Sequence, residues 1–519
     1  MANLHTVLIV GEGPTGLVVA HELARAGIAC RLVDKAAHRA IESRAIAIHP
    51  RTLETFELMG LADAFLGAGQ RITAVSVYGS SGPIAHVQFR GLDTRYPYVL
   101  GVPQDETERI LEQHVQQLGV SVERNTELVG LTPHASSVSA RLRQGNRVEE
   151  IEAQWVLGCD GAHSAVRDQL AIPFSGSTYP EHFVLADVKV EGELDHDGAQ
   201  VWLHHDGPMA FFPLPADRWR LVVGNSPADW QGEPTLAQCQ ALVDERGPGG
   251  IQLADPRWTA VFRIHRRIAR HFRQSRVFLL GDAAHIHSPI GGQGMNMGIQ
   301  DAFNLAWKLG LIIGKGGNPT LLDSYEPERR PIDEAVLRQT DRATRLVSLH
   351  GPVMRFLRDH LMSLATRLPP IVEKLGEAMS GIAVDYRHSP IIEDHAVGAP
   401  GPHAGDRAPD AEVDDPHGVT KRLYQLFTQQ RHVLLLVGGG AVSPPGLSEL
   451  GRHSITIRRI TPPEVAGADL IDRSGEVAAR YGSAGMAYLI RPDGYVGFRC
   501  GLNEAPARLP RYLTRSFIA

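Results

Sequence analysis

The chain has 519 residues and a formal net charge of −6, with 43% hydrophobic, 21% charged and 6% aromatic residues. That is an ordinary globular composition, and the acidic balance argues against a nucleic-acid binder working through a broad basic surface. Four scattered cysteines (Cys30, Cys159, Cys239, Cys500) and no CxxC exclude a disulfide framework and point to the cytoplasm.

The N-terminus has a short apolar run and no basic preamble, which makes a poor signal peptide, and no apolar stretch is long enough to span a bilayer. Residues Thr6–Val10 read as a buried parallel strand. Gly11-Glu12-Gly13-Pro14-Thr15-Gly16 follows, then a helix with Leu17, Ala20, Leu23 and Ala24 on one face, ended by Gly27. Ile28–Val33 is the next strand and closes at Asp34, 18 residues after Gly16. A GxGxxG turn between strand and helix, with an acid at the end of the second strand, is a dinucleotide fingerprint. Gly11 permits the turn, Gly13 the approach of a pyrophosphate, and Gly16 close packing of helix on strand. An acid at Asp34 accepts from a ribose and disfavours a 2′-phosphate, which favours FAD or NAD over NADP.

Two later segments repeat a strand that ends in a glycine–aspartate pair: Val156–Arg167 (VLGCDGAHSAVR) and Val277–Asn296 (VFLLGDAAHIHSPIGGQGMN). The second runs into a long helix with Ile299, Ala302, Ala306, Leu309 and Ile313 on its apolar side. Between the first glycine motif and these, Pro103–Arg109 opens another helix. An NAD dehydrogenase has no use for the second glycine–aspartate strand end. A flavin has: its ribitol needs a carboxylate acceptor such as Asp282, and its pyrimidine edge gains negative charge that a helix start at Gly294-Met295-Asn296 stabilises.

GEGPTG, CDGAHSAVR and GDAAHIHSPIGGQGMN, in this order and spacing, resemble the three fingerprints of the single-component FAD-dependent aromatic hydroxylases, among them the phenol and aromatic-polyketide hydroxylases. Ser43–Leu61 and Pro103–Leu111 also look like segments of that family. The resemblance covers about residues 5–345. It implies an α/β fold with a Rossmann-like FAD domain (1–75, 98–178 and 262–345) interleaved with a β-sheet substrate domain (76–97 and 179–261). A helical bridge (346–394) and a thioredoxin-like C-terminal domain (395–519) would follow. It also implies non-covalent FAD and transient NADH or NADPH. The reaction would be hydroxylation of a phenolic or polycyclic substrate with O2 through a flavin C4a-hydroperoxide. By position, Gly11, Gly13, Pro14, Thr15 and Gly16 would wrap the pyrophosphate, and Asp34 with Lys35 would hold the adenosine ribose. Arg44 and Gln104 would meet the phosphate and ribityl region, and Leu128 the adenine side. Asp160 and Arg167 would serve FAD and the nicotinamide cofactor, and Asp282 the ribitol. Pro289, Gly292, Gly294, Met295 and Asn296 would border the isoalloxazine.

Residues Phe183–Val190, Ala199–His205, Met209–Leu214 and Arg220–Val223 read as strands of the substrate sheet, with Gly192–Gly198 as a loop. Trp202, His204, Phe211, Phe212 and Pro289 are the candidate substrate contacts, and His204 and His205 the candidate bases for ionising a phenol. Relatives acting on aromatic acids use an arginine on this sheet. None occurs between Trp202 and Ala216, which favours a neutral substrate, with Arg220, Arg71 and Arg95 the first candidates for a cation arriving from outside this stretch. The His285-x-His287 pair lacks the further ligands of a metal site, and no metal is expected. A flavin halogenase would share GxGxxG but should carry a WxWxIP motif that is missing here. A non-catalytic FAD-binding or substrate-sequestering protein is the rival from another class.

In the C-terminal quarter, Val397–Pro409 reads as a linker, Val433–Val437 and Asp469–Ile471 as strands, Glu476–Tyr481 as a helix and Ala487–Arg499 as a hairpin. Thr344–Glu377 is helical in pattern. Cys500 alone cannot run dithiol chemistry, so the domain is expected to be structural or dimer-forming. Neither nucleic acid nor membrane is an expected partner.

Overall fold

The computed structural model describes all residues except 1–3, 41, 42, 44, 80, 81, 228, 229, 231, 232, 289, 290, 348–357, 359, 361, 367, 429, 439–454, 466, 518 and 519. Three 8-stranded sheets carry the fold. The first is built on Leu4–Val10. Cys30–Val33 and Arg147–Gly158 flank it in parallel, and Val277–Leu279 extends it beyond the latter. Val7–Ile9, Val156, Leu157 and Val277–Leu279 are fully buried, as central parallel strands covered on both faces must be. The helix Pro14–Arg25 returns the chain between the first two strands. It stops where Gly27 turns left-handed (φ 73°) and the Ile28 amide reaches back to the Leu23 carbonyl.

The second sheet runs in the order His285–Ile286, Gln252–Ala269, Phe174–Glu191, Arg218–Gly224, Gly207–Leu214, Gly198–His204, Ala74–Gly79, Gly82–Gln88. Two of its strands are 18 residues long: Phe174–Glu191, well beyond the Phe183–Val190 read from the sequence, and Gln252–Ala269, which was not read as a strand. Together they form an antiparallel ribbon from the first sheet's edge into the second sheet. The Leu236–Arg246 helix, started by a Thr235–Gln238 capping box, covers one face. Its Cys239, Leu242 and Val243 join Val184, Ala186, Val188, Met209, Phe211, Trp219, Leu221 and Val223 in one core.

The third sheet centres on His432–Val437, parallel to Ile455–Thr461 and antiparallel to the Met486–Ile490 strand of a hairpin that returns as Val496–Gly501. The Val397–Pro409 stretch read as a linker is instead pinned down. Arg407 reaches Glu54 at 3.0 Å, and Ala404 and Ala408 are buried. At Gly405 (φ 96°) a Cβ would stand 2.5 Å from the Arg387 backbone. Glycine and proline here allow close backbone approach rather than freedom. Of the Thr344–Glu377 helical reading, the structure describes a helix that runs to Val347 and another over Pro369–Ser380. Much of the stretch between them lies outside the described residues. Among the described residues no helix is long and apolar enough to cross a membrane.

Candidate functional site

The three glycine-bearing segments converge at the carboxyl ends of the first sheet's strands, where open parallel sheets bind ligands. A Cβ on Gly11 (φ 109°) would fall 2.3 Å from the Cys159 carbonyl oxygen, so the first glycine turn lies directly on the strand end carrying Asp160. A Cβ on Gly16 would fall 1.9 Å from the Gly11 oxygen. Gly281 and Gly298 both close on Thr15, whose Oγ1 would meet their Cβ atoms at 2.6 and 2.4 Å. Residues separated by more than 280 positions in the chain thus share one wall.

Several groups on that wall are set up for a ligand. The Pro14–Arg25 helix starts on Gly13 with no side-chain cap, and Gly13 faces open space. The Gln293–Lys315 helix starts on a left-handed Gly292 (φ 63°), also without a side-chain cap, and Gly294 likewise faces open space. Uncapped helix starts leave amide donors that suit anionic oxygens. Asp34 is oriented by two amides, Glu12 N–H to Oδ2 at 2.8 Å and Ala36 N–H to Oδ1 at 2.7 Å; each oxygen keeps a lone pair for a ribose hydroxyl. Lys35 is exposed beside it. Asp160 accepts from Val166 N–H through Oδ2 at 3.1 Å, while its buried Oδ1 has no hydrogen-bond partner among the described residues. Burial pushes that carboxyl upward. Asp282 is exposed on the Gly281–Ala283 turn. Two helix starts open to an anion, a placed ribose acceptor, an orphaned carboxylate oxygen and an exposed acid on a fixed turn fit FAD.

Other sequence-selected residues hold the wall together. Arg167 donates to the Ala283 carbonyl at 3.2 Å and the Ala162 carbonyl at 3.0 Å, tying the second segment to the third. Gln104 Oε1 accepts from Ala45 N–H at 3.2 Å, and Gln104 N–H donates to Ser43 Oγ at 2.7 Å. Both bracket Arg44, which, like Pro289, lies outside the described residues. Asn296 accepts from His49 N–H at 2.9 Å and donates to the Ala47 and Gly292 carbonyls at 2.8 Å each. Met295 is half-buried on the same turn. Leu128 is buried, and its strand carries a bulge beside it. His49 was not singled out by any motif. It is buried, its Nδ1 reaches the Met379 carbonyl, and burial pushes its imidazole down.

Behind the third segment is a buried charge network. Asp301 Oδ2 lies 2.6 Å from His285 Nε2 and accepts from Gly281 N–H at 3.0 Å; its Oδ1 accepts from Arg329 Nε at 2.6 Å. His285 Nδ1 lies 2.9 Å from His287 Nε2. His285, His287 and Asp333 offer atoms within 4.8 Å of one another, yet both ring nitrogens of His285 already face partners. Burial alone would lower the His285 imidazole, but Asp333 and Asp301 hold it at about 9. A histidine raised from 6.5 to about 9 on folding contributes stability that is complete below 6.5 and lost as pH rises towards 9. Thermal stability should therefore fall across that window, and His285→Gln should flatten the slope. Equal slopes for variant and parent would contradict this account.

The second sheet turns different residues to its two faces. Trp202 and Phe211 point to the side covered by the Leu236–Arg246 helix. Phe211 is fully buried there, and Trp202 stands edge-on to it at 6.0 Å. His204 shares that face by alternation, and His205 is exposed at the hairpin turn, 2.9 Å from Asp206. Trp202 and Phe211 thus share the helix-covered face, the one opposite Phe212. Phe212 faces the other way and packs with Ala47, the residue whose carbonyl Asn296 holds. On its face the cross-strand register aligns Phe212, Arg220, Asp187 and Trp258 in one row. Ala210, Val222, Leu185 and Ala260 form the next, then Phe183 and Phe262. Arg257 ties the end of this face to Asp105, beside Gln104, at 2.6 Å.

A family model described as an FAD binding domain matches residues 5–340, and one described as the C-terminal part of aromatic-ring hydroxylases matches residues 401–519. The 6-methylpretetramide 4-monooxygenase of Streptomyces rimosus is 34% identical over 517 residues, covering 97% of this chain and 92% of its own. Pentachlorophenol 4-monooxygenase of Sphingobium chlorophenolicum is 31% identical over 521 residues, 96% of this chain and 94% of its own. The solved anhydrotetracycline hydroxylase of Streptomyces rimosus has a TM-score of 0.80 at 32% identity, over 99% of each chain.

Proposed function

Because the chain belongs to the FAD-dependent aromatic-ring hydroxylases, we propose that it uses NADH or NADPH and O2 to hydroxylate a neutral phenol or polycyclic phenol. Bound FAD would supply the oxygen activation. What supports the substrate reading is the apolar sheet face of Ala210, Phe212, Val222, Leu185, Ala260 and Phe262, opposite the face covered by the Leu236–Arg246 helix. Its embedded cation, Arg220, is already paired with Asp187. Arg95 is already paired with Glu57 at 2.8 Å, and Arg71 sits over the Tyr98 ring at 5.0 Å. The relatives named for a phenol and for tetracycline-type compounds agree with this chemistry.

The chain's own residues bind and orient. Amides at the starts of the Pro14–Arg25 and Gln293–Lys315 helices receive the pyrophosphate and the flavin's pyrimidine edge, and Asp34 the adenosine ribose. Asn296 fixes the Ala47–Ile48 strand and His49 against the Gly292 turn, and the apolar face excludes water from the ring to be hydroxylated. The domain division given above is part of this proposal; two second-sheet strands, Phe174–Glu191 and Gln252–Ala269, each cross one of its bounds. For the C-terminal sheet we infer a thioredoxin-like unit with a structural role: its one cysteine, Cys500, is buried, and burial pushes the thiol up to about 12.

Purified protein should be yellow, and acid precipitation should release free FAD. NAD(P)H oxidation should be stimulated by neutral phenols in preference to hydroxybenzoates; a hydroxybenzoate with the best kcat/KM would overturn the substrate reading. Asp282→Ala removes the acceptor assigned to the ribitol hydroxyls. Loss of one charge-assisted hydrogen bond predicts FAD affinity about ten- to a hundredfold weaker. Unchanged affinity in a folded variant would sink that assignment.

A further inference from the structure

Asp187 and Arg220 are almost completely buried, with side chains 2% and 1% exposed, in the middle of the sheet face that we assign to the substrate. Arg220 grips the carboxylate with two nitrogens: Nε donates to Oδ1, and Nη2 donates to Oδ2 at 3.0 Å. Trp258 Nε1 donates to the same Oδ2 at 3.0 Å, and the guanidinium lies 4.8 Å from the centre of the Trp258 ring. Phe212 is directly across from Arg220. Both acid and base are thus held within an otherwise apolar row. A planar guanidinium presenting two parallel donors is the geometry that recognises a carboxylate.

We propose that Asp187 is a specificity-determining residue: its carboxylate occupies Arg220 as an internal stand-in for an acidic substrate, and so makes the pocket reject aromatic carboxylates. The proposal rests on the reading of this face as the substrate wall. Its physical basis is that a buried cation must have a counter-charge. With Asp187 present, an entering carboxylate would find the guanidinium taken and Asp187 repelling it. With Asp187 gone, the same guanidinium becomes the strongest carboxylate receptor on this face. Arg218, the other arginine of the strand, is engaged elsewhere, on Asp255 at 2.9 Å.

Asp187→Ala tests this in the holoenzyme. Acetate and benzoate, titrated at constant ionic strength, should raise the melting temperature of the variant in a saturable way and leave the parent unmoved. Chloride at the same concentration should not substitute. The ratio of kcat/KM for a neutral phenol over that for 4-hydroxybenzoate should fall about ten- to a hundredfold, the worth of one charge-assisted contact. Asp187→Ala/Arg220→Met should lose the carboxylate response, because the guanidinium is gone. If Asp187→Ala does not accumulate as folded protein, Asp187→Asn, which keeps the side chain's shape, is read by the same titration. A variant with no carboxylate response, or a response that survives Arg220→Met, overturns the proposal. A stability response without any change in substrate preference would keep Arg220 as a carboxylate receptor but remove Asp187 from specificity, and so also overturns it. Failure of the underlying reading is a separate result: the parent enzyme itself would show no turnover stimulated by phenols.

Discussion

Glu328→Ala should cost about 3–5 kcal/mol of stability, the usual penalty for stranding buried charge. Glu328 accepts from Arg491 Nη1 at 2.6 Å and Nη2 at 3.0 Å, from Lys308 Nζ at 2.7 Å, from Asn304 at 2.6 Å and from Ser389 at 2.7 Å. Side chains of Glu328, Lys308 and Arg491 are all 0% exposed. Removing the carboxylate leaves two buried cations facing Asp493 alone. Burial already lowers the Lys308 ammonium to about 8 with Glu328 in place. The cluster joins the long helix of the flavin site to the C-terminal hairpin, so its loss should loosen the contact between the first and third sheets. Urea unfolding followed by tryptophan fluorescence would show this directly, since Trp307 donates to Asp493 at 3.0 Å. A midpoint within experimental scatter of the parent's would contradict it. Removing all residues from Gly405 onward would take Arg491 from Glu328, which keeps Lys308, and Arg407 from Glu54, which keeps Arg51.

Gly16→Ala should abolish retention of FAD. The new Cβ would sit 1.9 Å from the Gly11 oxygen, so helix and turn must separate by more than an ångström to reach ordinary contact near ~3.5 Å. A displacement of that size at a positioned site costs about a hundredfold or more. Gly13→Ala is the informative partner. Its Cβ meets no protein atom within 4 Å, so the folded protein should be as stable as the parent without FAD. The methyl would instead occupy the space assigned to the pyrophosphate, and FAD affinity alone should fall. If Gly13→Ala binds FAD as the parent does, the first glycine turn does not face the pyrophosphate.

The glycine segments were legible because their requirements are local. A positive φ at Gly11, or room for Thr15 between Gly281 and Gly298, can be met by glycine alone, and the residue betrays the geometry. The long helix was legible only in part. Its apolar stripe runs through Ile299, Ala302, Ala306 and Leu309, yet Asp301, Asn304 and Lys308 on the opposite face are equally buried. Their partners Arg329, Glu328 and Arg491 come from remote segments, and no periodicity within one helix reports a charge waiting elsewhere. In the sequence Arg491 is simply the residue before Pro492-Asp493-Gly494, inside the stretch read as a hairpin. The substrate sheet shows the same limit. Along that strand Trp202 packs on one face and Val201 and Leu203 on the other, as alternation requires. Which side faced the flavin segments depended on where the Leu236–Arg246 helix lands, and that covered the aromatics most conspicuous in the sequence.

Turnover under ¹⁸O2 with NAD(P)H and a neutral phenol tests the assignment as an aromatic hydroxylase most directly. The account predicts a hydroxylated product in which the new oxygen atom carries the label, formed in proportion to NAD(P)H consumed. NAD(P)H consumption that yields only hydrogen peroxide across a panel of phenols and polycyclic phenols, or a product whose new oxygen comes from water, would contradict it.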